Sequence, residues 1–343
     1  MRNQIDPEKV FEEFCPQRAD NEDIYVRTGV VPVDLLTMGK GFPLRSLIHV
    51  WSPAGYGKST IMYTVVRNLI RSGESVLWVG VERSLPLAES MGLRVNGQDV
   101  DNFRYVDVSY YDELQKVTDA WLRSEIYRWI VIDSLTAVCP SPDKMKDDIE
   151  TISIGLDARI QAKFMRLYHA LIKKFNKSII FITQSRMQIG IRPGEVTKEH
   201  AAGGKATQFY SDIRFTVMGN SNVNSSSTLD GKRDYIAGKS GYLIAEKIRH
   251  APPLVKIPVT ILFGKGLSNV QALCDYAQWR GIVTGLGGWY SCTLGGEQVD
   301  KIQGKSDLLN WTKNNSQALI DDFYVHAEEY FHCLQAADGK KPI

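Results

Sequence analysis

The chain has 343 residues, of which 43% are hydrophobic and 23% charged, a composition that supports one large folded domain plus a smaller one and excludes a disordered or fibrous chain. A formal net charge of only +2 excludes a dedicated basic module, so any nucleic-acid site has to be local. Five scattered cysteines (Cys15, Cys139, Cys274, Cys292, Cys333) form no CxxC pair and read as reduced thiols; with no run of ~18 apolar residues and no signal-peptide core, the expectation is a cytoplasmic, non-membrane protein.

The first elements in chain order are a short amphipathic helix over 7–14 and a polar linker over 18–23, together an N-terminal arm over 1–26. Apolar runs then alternate with helical patterns: a strand over 47–51, a helix over 58–71, a strand over 75–81, a helix over 112–124 and a strand over 129–132. That alternation predicts an α/β fold with a mostly parallel sheet and helices on both faces. A helix over 156–175 leads to a strand over 178–183 and a long loop over 185–204, a length that is usually functional inside a compact domain. Strands over 213–218 and 242–248 flank an Asn/Ser/Gly/Lys-rich segment, read as a flexible hairpin tip without a role. After Gly264 the pattern changes to a helix over 270–280, an aromatic strand over 289–291 and helices over 306–313 and 317–331, so the expected division is a core over 27–266 and a small α+β domain over 267–343.

The strand over 47–51 runs into SPAGYGKST and then into a helix, the context that gives a phosphate-binding loop its meaning. Within Ser52, Pro53, Ala54, Gly55, Tyr56, Gly57, Lys58, Ser59 and Thr60, Gly57 lets backbone N–H groups turn inward. Lys58 is placed to reach β and γ phosphates, and Ser59 offers a hydroxyl to Mg²⁺ at a helix N-terminus whose dipole favours anions. Ser52 stands where the usual pattern begins with Gly, and still permits a tight turn.

Two neighbouring apolar strands end in acids, Glu82 and Asp133, and ligands of open α/β sheets collect at the carboxyl ends of strands. WIVIDS has the Walker B form, in which Asp133 holds Mg²⁺, partly through water. Glu82 suits a base that polarises the attacking water. Gln184 follows another buried strand and is able to sense a γ-phosphate and report it to the loop over 185–204.

These features resemble, in order and spacing, the bacterial RecA recombinase family: TGVVPVDLLTMGKGFP, the phosphate loop, Glu82, IDSLTAV, FITQSRMQIGI, GGKATQFY, AEKIRHAPP, FGKGLSN and GWYSCTLGGEQVDKIQGKSDLLNWTKNN. The resemblance covers the chain from about Arg27 onward. It implies a RecA-type P-loop NTPase core with a small α+β C-terminal domain and a short N-terminal arm, using ATP and Mg²⁺. It also implies a DNA-dependent ATPase that forms a helical filament on single-stranded DNA and pairs it with double-stranded DNA. By the same resemblance, DNA-binding loops lie at about 143–155 and 185–204, with Ile154 and Ile189 as wedges between base triplets and Gly203 and Gly204 offering bare N–H groups to phosphates. Arg159 and Arg166, seven apart and hence on one helix face, together with Arg186 and Arg192, supply charge. Lys247 corresponds to one of two lysines that act on a neighbouring subunit's γ-phosphate, whereas Ala245 replaces the other, and Phe209 corresponds to an interface aromatic. The segment after Glu82 is shorter than the family's and lacks its adenine-stacking aromatic. A hexameric DNA motor, or a low-turnover DNA-binding filament or mediator, are the alternatives.

Overall fold

The apolar runs of the sequence become the middle of one large sheet. A computed structural model describes residues 24–82, 84–140, 156–188, 198–202, 204–226, 234–249, 251–253 and 255–338. Strand β1 (Tyr25–Val26), helix α1 (Val31–Leu35) and β2 (Phe42–Pro43) precede β3 (Leu47–Ser52), α2 (Lys58–Arg71), β4 (Val76–Gly80) and α3 (Leu85–Ser90). The hairpin β5 (Arg94–Val95) and β6 (Gln98–Asp99) leads to β7 (Phe103–Asp107), α4 (Tyr111–Arg123), β8 (Trp129–Asp133) and α5 (Leu156–Phe175). Then come β9 (Ser178–Gln188), β10 (Lys198–Ala201), α6 (Gly204–Tyr210), β11 (Ile213–Ser226), β12 (Asp234–Ile248), β13 (Lys256–Leu262) and β14 (Gly266–Leu267).

The sheet runs β14-β13-β12-β11-β3-β9-β8-β4-β7, with β10 attached to β9. From β11 through β7 all neighbours are parallel, and β12, β13 and β14 are antiparallel additions. Successive side chains of a strand point to opposite faces. Ile48, Val50, Ile180 and Ile182 therefore meet Ile61, Met62 and Val65 of α2 on one face. Leu47, Ile130, Ile132, Ile179 and Phe181 meet Leu114 and Trp121 of α4 and Met165, Tyr168 and Ile172 of α5 on the other. The α/β expectation, with helices on both faces, is thus met. The edge strand β7 has no counterpart among the predicted strands: only Phe103 and Tyr105 of its five residues are buried, too short an apolar signal to stand out.

The C-terminal residues form α7 (Asn269–Arg280), a three-stranded antiparallel sheet of β15 (Val283–Leu286), β16 (Trp289–Leu294) and β17 (Glu297–Gln303), then α8 (Gly304–Asn314) and α9 (Ser316–Asp338). Tyr276, Phe323 and Tyr330 pack with centroids 5.4 Å apart from the Tyr276 ring, in the same apolar cluster as α2 and β3. Gly266 and Leu267 still pair with Leu262 and Ile261 of the large sheet, and Leu267 N–H donates to Thr64 Oγ1 of α2 at 3.0 Å. The N-terminal end is tied in as well. Asp34 of α1 is fully buried and accepts hydrogen bonds from Thr28, Gly29 and the Tyr324 hydroxyl of α9, the last at 2.6 Å.

Candidate active site

Ser52, the last residue of β3, lies in register with Gln184 of β9. The loop that follows turns through Gly55 and Gly57, both with φ near +80°, a conformation that costs side-chain-bearing residues energy. Gly57 is also the N-cap of α2, which has no side-chain cap, and a Cβ there would sit 2.5 Å from Ile261 Cδ1. Uncapped N–H groups at this helix end are ready donors to an anion. Lys58 is buried, and its Nζ donates to the carbonyls of Ser52 (3.0 Å) and Pro53 (2.9 Å), which hold it across the loop. Burial lowers its pKa, against the opposing pull of Glu82 and Asp133. Ser52 is itself fully buried, with its hydroxyl donating to Pro53 O, so these two residues serve the loop mainly through their carbonyls.

The acids meet across the next strands. Gly80 of β4 pairs in register with Asp133 of β8, and the N–H groups of Val81 and Glu82 donate to Asp133 O. Asp133 is only 2% exposed. Burial raises its pKa to about 6, with a hydrogen bond from Ser59 and the charge of Lys58 opposing and that of Glu82 reinforcing the rise. Its Oδ2 is buried without a hydrogen-bond partner. Glu82 Oε1 accepts from Ser134 Oγ at 2.6 Å and from Gln184 Nε2 at 2.8 Å. Residues 54–60, Glu82, Asp133 and Gln184 line one cavity of about 310 Å³. An unpartnered carboxylate oxygen beside a serine hydroxyl is a hard-oxygen donor set that fits Mg²⁺, which prefers few protein ligands plus phosphate and water. Among the described residues no group of three or more His, Cys, Asp or Glu is placed to hold a metal, so Ser59 and Asp133 are the candidates.

Comparison with known proteins decides the family. Residues 16–268 match the model of the RecA N-terminal domain. The chain belongs to the RecA family. It is 27% identical over 292 residues to Protein RecA of Haemophilus ducreyi, covering 85% of this chain and 74% of that one. Protein RecA of Caulobacter vibrioides is 28% identical over 299 residues, covering 86% and 78%. Protein RecA of a Synechococcus species is 27% identical over 293 residues, covering 85% and 72%.

The remaining RecA-family expectations fall away from this cavity. Residues 185–188 and 198–201, read from the sequence as loop, instead form the paired ends of β9 and β10, with Arg186 opposite His200. Backbone pairing there holds polar residues in strand form that their composition alone does not suggest. Arg186 is exposed. Ile189, Arg192 and Gly203 lie outside the described residues, as do Ile154 and the whole loop over 143–155, and so does most of the N-terminal arm. Arg159 and Arg166 are both exposed on α5, and Gly204 opens α6 with φ +69°. Phe209 is 74% exposed at the end of α6, and Lys247 Nζ donates to the carbonyls of Gln208 and Phe209, both at 2.9 Å. Ala245 faces the core. The strands flanking the Asn/Ser-rich segment run further than predicted, to Ser226 and from Asp234, which makes this segment largely a β-ribbon.

Three cavity residues were missed by sequence reasoning: Lys239 of β12, Ile261 of β13 and Phe263 just beyond it. Part of the signal was present. KIPVTIL alternates, with Ile257, Val259 and Ile261 turned inward, and continuing the period places Phe263 on the same face.

Proposed function

We propose that this RecA-family protein is a cytoplasmic ATP-dependent DNA recombinase that forms a helical filament on single-stranded DNA and pairs it with matching duplex. The observation that carries the proposal is the position of Gln184. It lies in the cavity with Lys58, Ser59, Asp133 and Glu82, and its strand runs on without a break into the β9–β10 ribbon, within the region expected to hold DNA.

In this reading Lys58 and the N–H groups at the start of α2 grip the phosphates, and Ser59 and Asp133 hold Mg²⁺. Bound there, Mg²⁺ would supply charge stabilisation for the phosphoryl oxygens. Glu82 Oε1 already accepts two hydrogen bonds, which fixes the carboxylate and leaves Oε2 to take a proton from water attacking the γ-phosphate. The Gln184 amide that now donates to Glu82 is the group that a γ-phosphate oxygen would compete for. Its reorientation alters the strand at the root of the ribbon, because Gln184 O also accepts from Ala202 N–H at 2.8 Å. Nucleotide state and DNA affinity are thereby linked through one side chain and one strand. Lys247 and Phe209, outside the cavity of their own chain, are proposed to act on the neighbouring subunit. Arg159, Arg166, Arg186, Arg192, Ile154, Ile189, Gly203 and Gly204 are proposed to contact DNA, mainly through phosphates and stacked bases.

ATP hydrolysis by the purified protein, measured without DNA, with single-stranded DNA and with duplex, tests the proposal. Strong stimulation by single strands is expected. Hydrolysis indifferent to DNA, or absent throughout, overturns it.

A further inference from the structure

The cavity has two unlike ends. Glu82 just beyond β4, Asp133 of β8 and Gln184 of β9 lie on one side of the phosphate loop, whereas Lys239 of β12, Ile261 of β13 and Phe263 just beyond β13 lie on the other. Four strand spacings separate β12 from β8, roughly 19 Å at ~4.8 Å each. A triphosphate held by Lys58, with its terminal phosphate toward Glu82, leaves its nucleoside pointing to the second end.

The face of β12 and β13 that forms this end is set by register. Leu243 pairs with Ile257, Gly241 with Val259 and Lys239 with Ile261, without a slip, so all these side chains lie on the α2 side of the sheet, where Leu243, Ile257, Val259 and Ile261 are buried. Ile261 packs against Gly57, and beyond it the same face has nothing left of α2 to cover it. There Lys239 is half-buried and Phe263 is 56% exposed. Among the described residues the Lys239 side chain makes no hydrogen bond or ion pair, its backbone being held in the β12–β13 ladder. The charges that act on buried Lys58 are those of Glu82 and Asp133, at the opposite end.

We infer that Lys239 determines the base selectivity of this site and opens it to guanine nucleotides as well as adenine ones; the inference rests on the nucleotide-site reading above. An ammonium group offers donors only. Guanine presents two adjacent acceptors, O6 and N7, whereas adenine presents N7 beside an amino donor. Against the Phe263 ring as a stacking surface, Lys239 therefore pairs with the guanine edge and meets a mismatched donor on adenine.

Competition binding of ATP, GTP and inorganic tripolyphosphate, each with Mg²⁺, to the full-length protein and its Lys239→Met, Lys239→Arg and Lys58→Ala variants tests this. In Lys239→Met the affinity for GTP relative to ATP should fall about tenfold, as expected for one charge-assisted hydrogen bond at a partly exposed position. Tripolyphosphate binding should be unchanged, and Lys239→Arg should restore GTP. An unaltered GTP-to-ATP ratio, or equal losses for both nucleotides and tripolyphosphate, overturns the inference. Nucleotide binding that survives Lys58→Ala overturns instead the nucleotide-site reading on which it rests.

Discussion

Asp133 carries a measurable cost in the protein free of nucleotide and metal. Its pKa is raised from 3.8 to about 6 chiefly by burial, so the folded state binds a proton that the unfolded chain releases between those values. Asp133 costs the folded state nothing below about pH 4, its penalty grows as pH rises toward 6, and the full penalty applies above it. At about 1.4 kcal/mol per pH unit of displacement, the penalty is about 3 kcal/mol at neutral pH. Asp133→Asn keeps a neutral side chain able to accept from Ser59. It should therefore be more stable than wild type by up to about 3 kcal/mol at pH 8 without nucleotide or Mg²⁺, with the difference gone by about pH 4. Asp34, whose pKa burial also raises to about 6, titrates in both proteins and cancels. Urea unfolding of both proteins from pH 4 to 8 measures the difference. Wild type equal to or more stable than the variant at pH 8 would refute the burial argument. In wild type alone, Mg²⁺ with nucleotide should restore stability, increasingly so as pH rises through 6.

Glu82→Gln retains the oxygen that accepts from Ser134 and Gln184 but not the base; ATP should still bind, as followed by equilibrium dialysis, while single-turnover hydrolysis falls by at least about 100-fold. Gly57→Ala forces a side chain into φ +82° and against Ile261 Cδ1; a loss of about 1–3 kcal/mol in urea unfolding and weaker nucleotide binding are expected. Arg186→Ala removes one exposed charge from the β9–β10 ribbon; DNA affinity should weaken across sequences, and its dependence on salt should drop by about one unit of slope. Unchanged salt dependence would take Arg186 out of the DNA surface.

Much of the acid end of the site was legible in the sequence. Parallel strands place their carboxyl ends at one edge, so reading 47–51, 75–81 and 129–132 as strands of one mostly parallel sheet was enough to gather Ser59, Glu82 and Asp133 there, although β9 stands between β3 and β8. Ser134 as the partner that fixes Glu82 was not legible as such. That contact follows from the Val81 and Glu82 N–H groups meeting Asp133 O, a detail of backbone approach between strands that periodicity does not encode. The same holds for the ends of β9 and β10, where pairing between polar segments supplies the hydrogen bonds and composition suggests a loop.

The nucleoside end was hidden for a different reason. Asn220 to Gly241 is polar, and a polar segment between strands reads as a tip, yet β11 runs into it as far as Ser226 and β12 starts within it at Asp234, and their pairing carries register shifts between Arg214 and Phe215, Met218 and Ser221, and Val223 and Asn224. Each shift changes which residues of the partner strand share a face, so counting by twos along β11 gives no way to place Lys239. Only the unbroken β12–β13 ladder does, through Leu243, Gly241 and Lys239 opposite Ile257, Val259 and Ile261. The core that covers the first pairs stops at Gly57, and the next pair on the same face becomes the wall of a binding site. A lysine there is thus a consequence of where α2 begins: two pairs further in on the same face the strand holds an apolar side chain, Leu243, opposite Ile257.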